Sequence, residues 1–283
     1  MSAFGNMVPS STLSASLRDL PAWPRKWNQA YFDTIIKRSN ARIEVLDDRL
    51  FGVTNGRTMP EIEQVTIGTG RRFKKLAILF LDICSFSARK NWTDVEQKQV
   101  MVIMNVFMAE MINIVRDWGG TFEKNTGDGL MAYFGEEGAD DAAIVRPAVE
   151  AAAVMHYANA NLISPSLETV RSIEPIRFRI GIDLGPVSIA RVGLRGRESS
   201  IVAVGTPANI ACKLMNLIPG GGICIGDEVY KALPANWDKN CAPCAQNSGF
   251  VYTADNRPYR AWELNHRLLK PVSQVADEFF TTR

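Results

Sequence analysis

Apolar residues fall into blocks along this chain, and each change in their spacing marks an element. Residues 76–81 (Leu-Ala-Ile-Leu-Phe-Leu) are an unbroken apolar run closed by a polar loop, the pattern of a buried strand. Thr93 followed by Glu96 is a capping box, and Met101, Met104, Met108, Met111, Ile112 and Val115 then recur at three- and four-residue spacing. That spacing predicts a helix, which Gly119-Gly120 stops. Residues 121–125 and 130–134 read as short strands joined by the turn Gly127-Asp128-Gly129. Residues 140–161 are Ala-rich and helical with Pro147 early in the segment, and 162–175 read as a loop. Residues 177–182 and 187–192 alternate as two strands around Gly185-Pro186. A strand at 201–204, a helix at 207–217 with Pro207 in its first turn, and a strand at 222–225 follow.

The order β-α-β-β-α-β is that of a ferredoxin-like split unit, an α/β (α+β) fold with extra C-terminal strands. Tyr259, Ala261, Trp262 and Leu264 suggest one of those strands. Residues 1–70 are expected to be an N-terminal extension. It is Ser-rich at first, partly helical over 27–48 and a polar, Gly-containing connector over 52–70. Residues 71–270 form the main domain, and 271–283 a tail.

Composition narrows the class. With 46% apolar and 22% charged residues the bulk of the chain is neither disordered, coiled-coil nor collagenous. Lys plus Arg number 32 and Asp plus Glu 30, a net charge of +2, which gives no reason to expect nucleic acid or a membrane surface as partner. The first residues lack the basic and apolar regions of a signal peptide. The most apolar run, 76–86, is too short to span a bilayer and contains Asp82, so no membrane insertion is expected. Five scattered cysteines suit free thiols in a reducing cytoplasm.

The predicted order also brings two acids together. Asp82 ends the first strand. A right-handed crossover makes the second strand parallel to the first, so the turn carrying Asp128 lies at the same sheet end. The third strand then runs beside the first, and the two carboxylates face each other. Two carboxylates without a nearby histidine suit Mg²⁺ or Mn²⁺ rather than zinc, and a pair of such ions clamps an in-line phosphoryl displacement. The amides of Cys84, Ser85 and Phe86, just after the first acid, suit phosphate oxygens. Either acid alone reads more simply as a cap or a tight turn; their meeting is what points to chemistry.

Four blocks carry a resemblance. They are Phe80-Leu81-Asp82-Ile83-Cys84-Ser85-Phe86-Ser87, the segment from Gly119 through Lys124-Asn125-Thr126-Gly127-Asp128 to Gly135, Arg179-Ile180-Gly181-Ile182-Asp183-Leu184-Gly185-Pro186-Val187, and the segment from Val204 through Asn209 and Lys213 to Leu214. In this order they resemble the class III nucleotidyl cyclases. The resemblance implies that Asp82 and Asp128, with the Ile83 carbonyl, hold two divalent ions. The ribose 3′-oxygen then attacks the α-phosphorus of a nucleoside triphosphate and pyrophosphate leaves. Asn209 matches the residue that orients the ribose. Lys213 stands where the family has an Arg that stabilises the transition state; it keeps the charge and loses the bidentate fork.

The same resemblance assigns base recognition to Lys124 and Val202. Adenylate cyclases pair a Lys with an Asp or Thr, and guanylate cyclases use a Glu. Lys124 donates hydrogen bonds and Val202 neither donates nor accepts, so both purine patterns are broken. The chain is similar in this to the pyrimidine cyclases of the bacterial Pycsar antiphage system. A Lys donor suits the 4-oxo group of uracil better than the amine of cytosine, which makes UTP the expected substrate and cyclic UMP the product. Cytidylate cyclase, adenylate cyclase and an impaired nucleotide-binding module are the alternatives. The family also implies a head-to-tail homodimer with shared active sites, and the defence system a downstream effector that responds to the cyclic nucleotide.

Other features read more plainly. Cys241-Ala-Pro-Cys244 lacks the further ligands of a zinc site. Arg195 and Arg197 fit a solvated hairpin tip. The family resemblance also implies a basic residue from the C-terminal strands that reaches the triphosphate, for which Arg257 and Arg260 are the candidates. The methionine spacing in the first long helix is core packing.

Overall fold

The computed structural model describes residues 28–48, 70–136, 138–193 and 199–266. Most of the extension, the Arg195–Arg197 tip and the tail lie outside the described residues. Among the described residues the central sheet has eight strands, β1 (Gly70–Ile83), β2 (Thr121–Asn125), β3 (Gly129–Phe134), β4 (Phe178–Gly193), β5 (Ser199–Val204), β6 (Gly222–Gly226), β7 (Cys241–Pro243) and β8 (Ala261–Leu264). Their order is β2-β3-β1-β4-β6-β8-β7, with β5 paired to β4. The first four strands thus have the antiparallel ferredoxin-like arrangement, and β6, β8 and β7 extend it as expected.

One face of the sheet is buried by α2 (Asp94–Asp117) and α3 (Asp141–Ala158). The capping box at Thr93 and Glu96 is present in both directions and starts α2 where the sequence places it. By length and composition α2 is apolar enough to cross a membrane, but Ile103, Val106, Phe107, Met111, Ile114 and Val115 are buried in the core. Met108 and Met111 are core residues, whereas Met101 is exposed. The N-terminal helix α1 (Gln29–Asp48) packs on α2: Ile35 is fully buried, the Tyr31 hydroxyl donates to Asp117 at 2.7 Å, and Arg38 reaches both Glu110 and Asp117.

Two sequence expectations are corrected. The segment expected as a loop holds α4 (Ser164–Arg171). A π-turn, Asn159–Ile163, carries the chain into it, and Pro165 sits in its first turn, where a missing N–H costs nothing. Asn159 donates to the Ile176 carbonyl at 2.7 Å while Ser164 accepts from the Ile176 amide at 2.9 Å, a buried network that ties the helix to the start of β4. The second correction is that β4 is one strand of 16 residues. Pro186 does not break it, because the β1 register shifts between Phe73 and Leu76, opposite Gly185 and Val187, and a bulge tolerates a residue without an N–H.

The other face carries α5 (Thr206–Leu214), followed by the short α6 (Asp227–Lys231). At Gly181 a Cβ would run into the Ala211 carbonyl, so this glycine sets how close α5 lies to β4. Asp183 of β4 is buried on the sheet and accepts the Tyr259 hydroxyl at 2.6 Å. Burial pushes its carboxyl up to about 7. A carboxyl raised in the fold contributes stability below its unfolded value, near pH 4, and loses it as pH rises through the folded value. Asp183→Asn keeps the acceptor and removes the ionisation. Its unfolding free energy should therefore fall less than that of the parent from about pH 4 to about pH 8, by up to about 4 kcal/mol. Urea unfolding at a series of pH values checks this; parallel curves would refute it.

Candidate active site

Asp82 and Asp128 meet at the end of β1. The register pairs Asp82 with Gly129 on one side and with Arg179 of β4 on the other. A Cβ at Gly129 would collide with the Leu81 carbonyl, so glycine is needed for the two strands to close this tightly beside the acids. The Ile83 amide donates to the Asp128 carbonyl at 3.2 Å, which fixes the turn against the strand end. Burial raises the Asp128 carboxyl above the usual carboxylate range. The charge of Asp82 adds to the rise, while the residue's own backbone contact and Arg179 oppose it.

Sequence reasoning missed Arg179. Its Nε and Nη2 both donate to Asp82 Oδ2, at 3.0 and 2.8 Å. The signal was the antiparallel pairing of β1 with β4, which a motif reading does not supply. Arg179 occupies one oxygen of Asp82 and leaves the other. Two carboxylates and a backbone carbonyl are hard oxygen donors, and their mutual repulsion is what a divalent cation relieves. Among the described residues no group of three or more His, Cys, Asp or Glu converges. Two carboxylates suit Mg²⁺ or Mn²⁺, which take their remaining ligands from water and substrate phosphates. The donor set therefore fits the ions that the resemblance implies.

The loop after Asp82 is partly committed. The Cys84 amide donates to the Arg177 carbonyl at 2.8 Å, and burial raises its thiol. Ser85 takes a left-handed conformation, with φ of 56°, and turns the chain into a short 3₁₀ helix at Phe86–Ala88. The Cys84 amide is therefore committed to the strand end and is not available to a phosphate, while Phe86 packs against the core.

Asn209 and Lys213 lie one turn apart on the exposed side of α5, with the sheet behind them. The Lys213 ammonium sits 4.8 Å from the centre of the Phe250 ring, a cation–π contact. Lys124 is 41% exposed on β2. The β2–β3 register skips Glu123, and successive residues of a regular strand point to opposite faces. The bulge breaks that rule and lets the Lys124 ammonium meet Glu123 Oε1 at 3.1 Å. The Glu123 side chain is fully buried, and neither oxygen accepts a well-formed hydrogen bond. Sequence reasoning missed Glu123 too, since only the bulge turns it toward Lys124. Val202 is half-buried on β5, opposite Ala190. Its neighbours Ile201 and Ala203 pack in one cluster with Met131 and Tyr133, the cross-strand neighbourhood of Lys124. Arg257 lies over the Tyr252 ring and pairs with Asp255 at 3.6 Å. Arg260 lines a separate cavity beside Trp262.

A family model described as the adenylate and guanylate cyclase catalytic domain matches residues 69–249. Among curated proteins, a cytidylate cyclase of Staphylococcus aureus is 27% identical over 75% of this chain and 53% of its own length. A cytidylate cyclase of Escherichia coli is 28% identical over 64% of this chain and 41% of its own. A uridylate cyclase of Burkholderia cepacia is 27% identical over 62% of this chain and 72% of its own. The chain thus spans about half the length of the first two. Among solved structures, the adenylyl cyclase CyaB from P. aeruginosa superposes with a TM-score of 0.55 at 22% identity, over 69% of this chain and 95% of its own. The guanylyl cyclase Cya2 gives 0.57 at 20%, over 69% of this chain and 93% of its own. At these identities the structural likeness is one of fold.

Proposed function

This chain belongs to the adenylate and guanylate cyclase catalytic-domain family, the class III nucleotidyl cyclases, and on that premise we propose that it cyclises a pyrimidine ribonucleoside triphosphate, UTP before CTP. The observation that carries the reading is the meeting of Asp82 and Asp128 at one sheet end, next to the loop that turns at Ser85. Two Mg²⁺ or Mn²⁺ ions there would lower the pKa of the ribose 3′-hydroxyl and neutralise the triphosphate. The rest of the work falls to the chain. Arg179 holds Asp82 by one oxygen and presents the other. The Ser85 and Phe86 amides face the phosphates, Asn209 orients the ribose, and Lys213 stabilises charge on the α-phosphoryl group. The bond formed is 3′-O to α-phosphorus, the bond broken is to the pyrophosphate oxygen, and the 3′-hydroxyl proton is released.

The acids come from one chain of a head-to-tail homodimer, and Lys124, Val202, Asn209 and Lys213 from the other. The cyclic nucleotide then acts in the cytoplasm as a signal for an effector in antiphage defence, as in the Pycsar systems the sequence resembles.

Lys124 supports uracil, whose 4-oxo group accepts where cytosine donates. Glu123 supports a second reading. Its buried carboxylate holds the Lys124 ammonium and competes with a uracil 4-oxo group for that donor, and two of the similar proteins are named cytidylate cyclases. Incubating the protein with Mn²⁺ and each of the four ribonucleoside triphosphates decides between them. Cyclic UMP as the main product is expected. Cyclic CMP would select the Glu123 reading, cyclic AMP would overturn the pyrimidine reading, and no product would mean a binding module.

A further inference from the structure

Five cysteines are reduced here, and the pair brought together is not the one the sequence puts closest. Cys241 is turned away: its thiol donates to the Trp237 carbonyl at 3.6 Å, and burial pushes it up to about 12. Cys244, just past β7, instead meets Cys224 of β6, with the sulfurs 3.5 Å apart. The contact with Cys224 holds the Cys244 thiol below its ordinary range, while the same contact and burial push Cys224 up. Cys224 is fully buried, whereas Cys244 lines a cavity of about 380 Å³ together with Ser248, Tyr259 and Arg260. One thiol is therefore accessible and acidified, and the other waits behind it in contact. That is the layout of an attacking and a resolving cysteine.

The pair also packs against α5. Cys224 shares a packed cluster with Ile210 and Leu214 of α5, and Cys244 and Phe250 pack against that cluster. Ile210 follows Asn209 and Leu214 follows Lys213 in the chain. Phe250 is the ring on which the Lys213 ammonium rests.

We propose that Cys224 and Cys244 are a peroxide-reactive dithiol whose disulfide form slows the cyclase. The Cys244 thiolate attacks one peroxide oxygen, the O–O bond breaks, the Cys244 sulfur becomes a sulfenic acid, and the other peroxide oxygen leaves as hydroxide and takes up the proton the Cys244 thiol gave up. The Cys224 sulfur then attacks the sulfenic sulfur and expels hydroxide, which takes the Cys224 proton. The sum is two thiols and one hydrogen peroxide giving one disulfide and two waters, and a dithiol reductant reverses the oxidation. Bonding needs the sulfurs at about 2.05 Å, so closure draws Cys244 toward β6 and pulls on the loop that carries Phe250. Lys213 loses its platform, and a displacement of about 1 Å at a catalytic group costs up to about a hundredfold in rate.

The effect on rate rests on the proposed cyclase activity; the bond itself does not. The test therefore has two independent readouts on the full chain after hydrogen peroxide. Peptide mapping by mass spectrometry is expected to find Cys224 linked to Cys244. Turnover of the preferred triphosphate is expected to fall about tenfold and return with dithiothreitol, while Cys244→Ala keeps its turnover under peroxide. A bond from Cys244 to Cys241, or none, would overturn the site. A Cys224–Cys244 bond with unchanged turnover, or a Cys244→Ala variant inhibited as strongly as the parent, would overturn the control of rate. Absence of cyclase activity before oxidation would refute the proposed function and with it the rate effect, and leave the bond to be judged by mapping.

Discussion

An Asp128→Asn variant is expected to lose cyclase turnover by about a thousandfold or more, because one of the two carboxylates proposed to hold the divalent ions loses its charge. The same variant should fold at least as well as the parent. Asp128 is raised by burial and by the neighbouring charge of Asp82, so its ionised form is tolerated rather than favoured, and an amide removes that repulsion without changing size. Activity and stability thus move separately, which a merely misfolded variant would not show. A thermal-unfolding series with Mn²⁺ supplies the second measurement. The parent should gain melting temperature with added Mn²⁺ and the variant should not. Retained turnover above about a tenth of the parent would remove Asp128 from the metal site. Asp82→Asn is the less clean companion, since it strips Arg179 of its partner at the same time.

Mixing two inactive variants should restore activity. Asp82→Ala and Asn209→Ala are each expected to be inactive alone. In a random mixture half of the dimers are mixed, and each mixed dimer has one site with neither defect, so about a quarter of parental activity returns. The physical reason lies in the single chain. The acids sit at the strand ends of β1 and β3, while Asn209 and Lys213 look outward from the exposed side of α5. In the proposed head-to-tail dimer the Asn209 and Lys213 of one copy would meet the acids of the other. Activity that stays at zero after mixing and re-equilibration would show that each chain completes its own site.

Much of this was legible in the sequence. The apolar run of β1, the capping box and the Gly-Asp-Gly turn are local signals, because burial on both faces, a cap and a tight turn each need particular residues within a few positions. They gave the split β-α-β-β-α-β order and, through it, the meeting of Asp82 with Asp128. The failures were also local. Residues 162–175 read as a loop and Gly185-Pro186 as a break between two strands, but Pro165 falls in a first helical turn and Pro186 lies opposite a bulge.

The sequence by itself determined which acids meet and which family the blocks resemble, since both follow from element order and from residues adjacent in the chain. Only the tertiary structure decided what surrounds them. Arg179 reaches Asp82 across 97 residues, Glu123 reaches Lys124 through a skipped position in the register, and Cys244 meets Cys224 rather than Cys241. Each of these contacts depends on how strands pair side by side, and pairing is set by burial of the whole sheet rather than by any short run of residues.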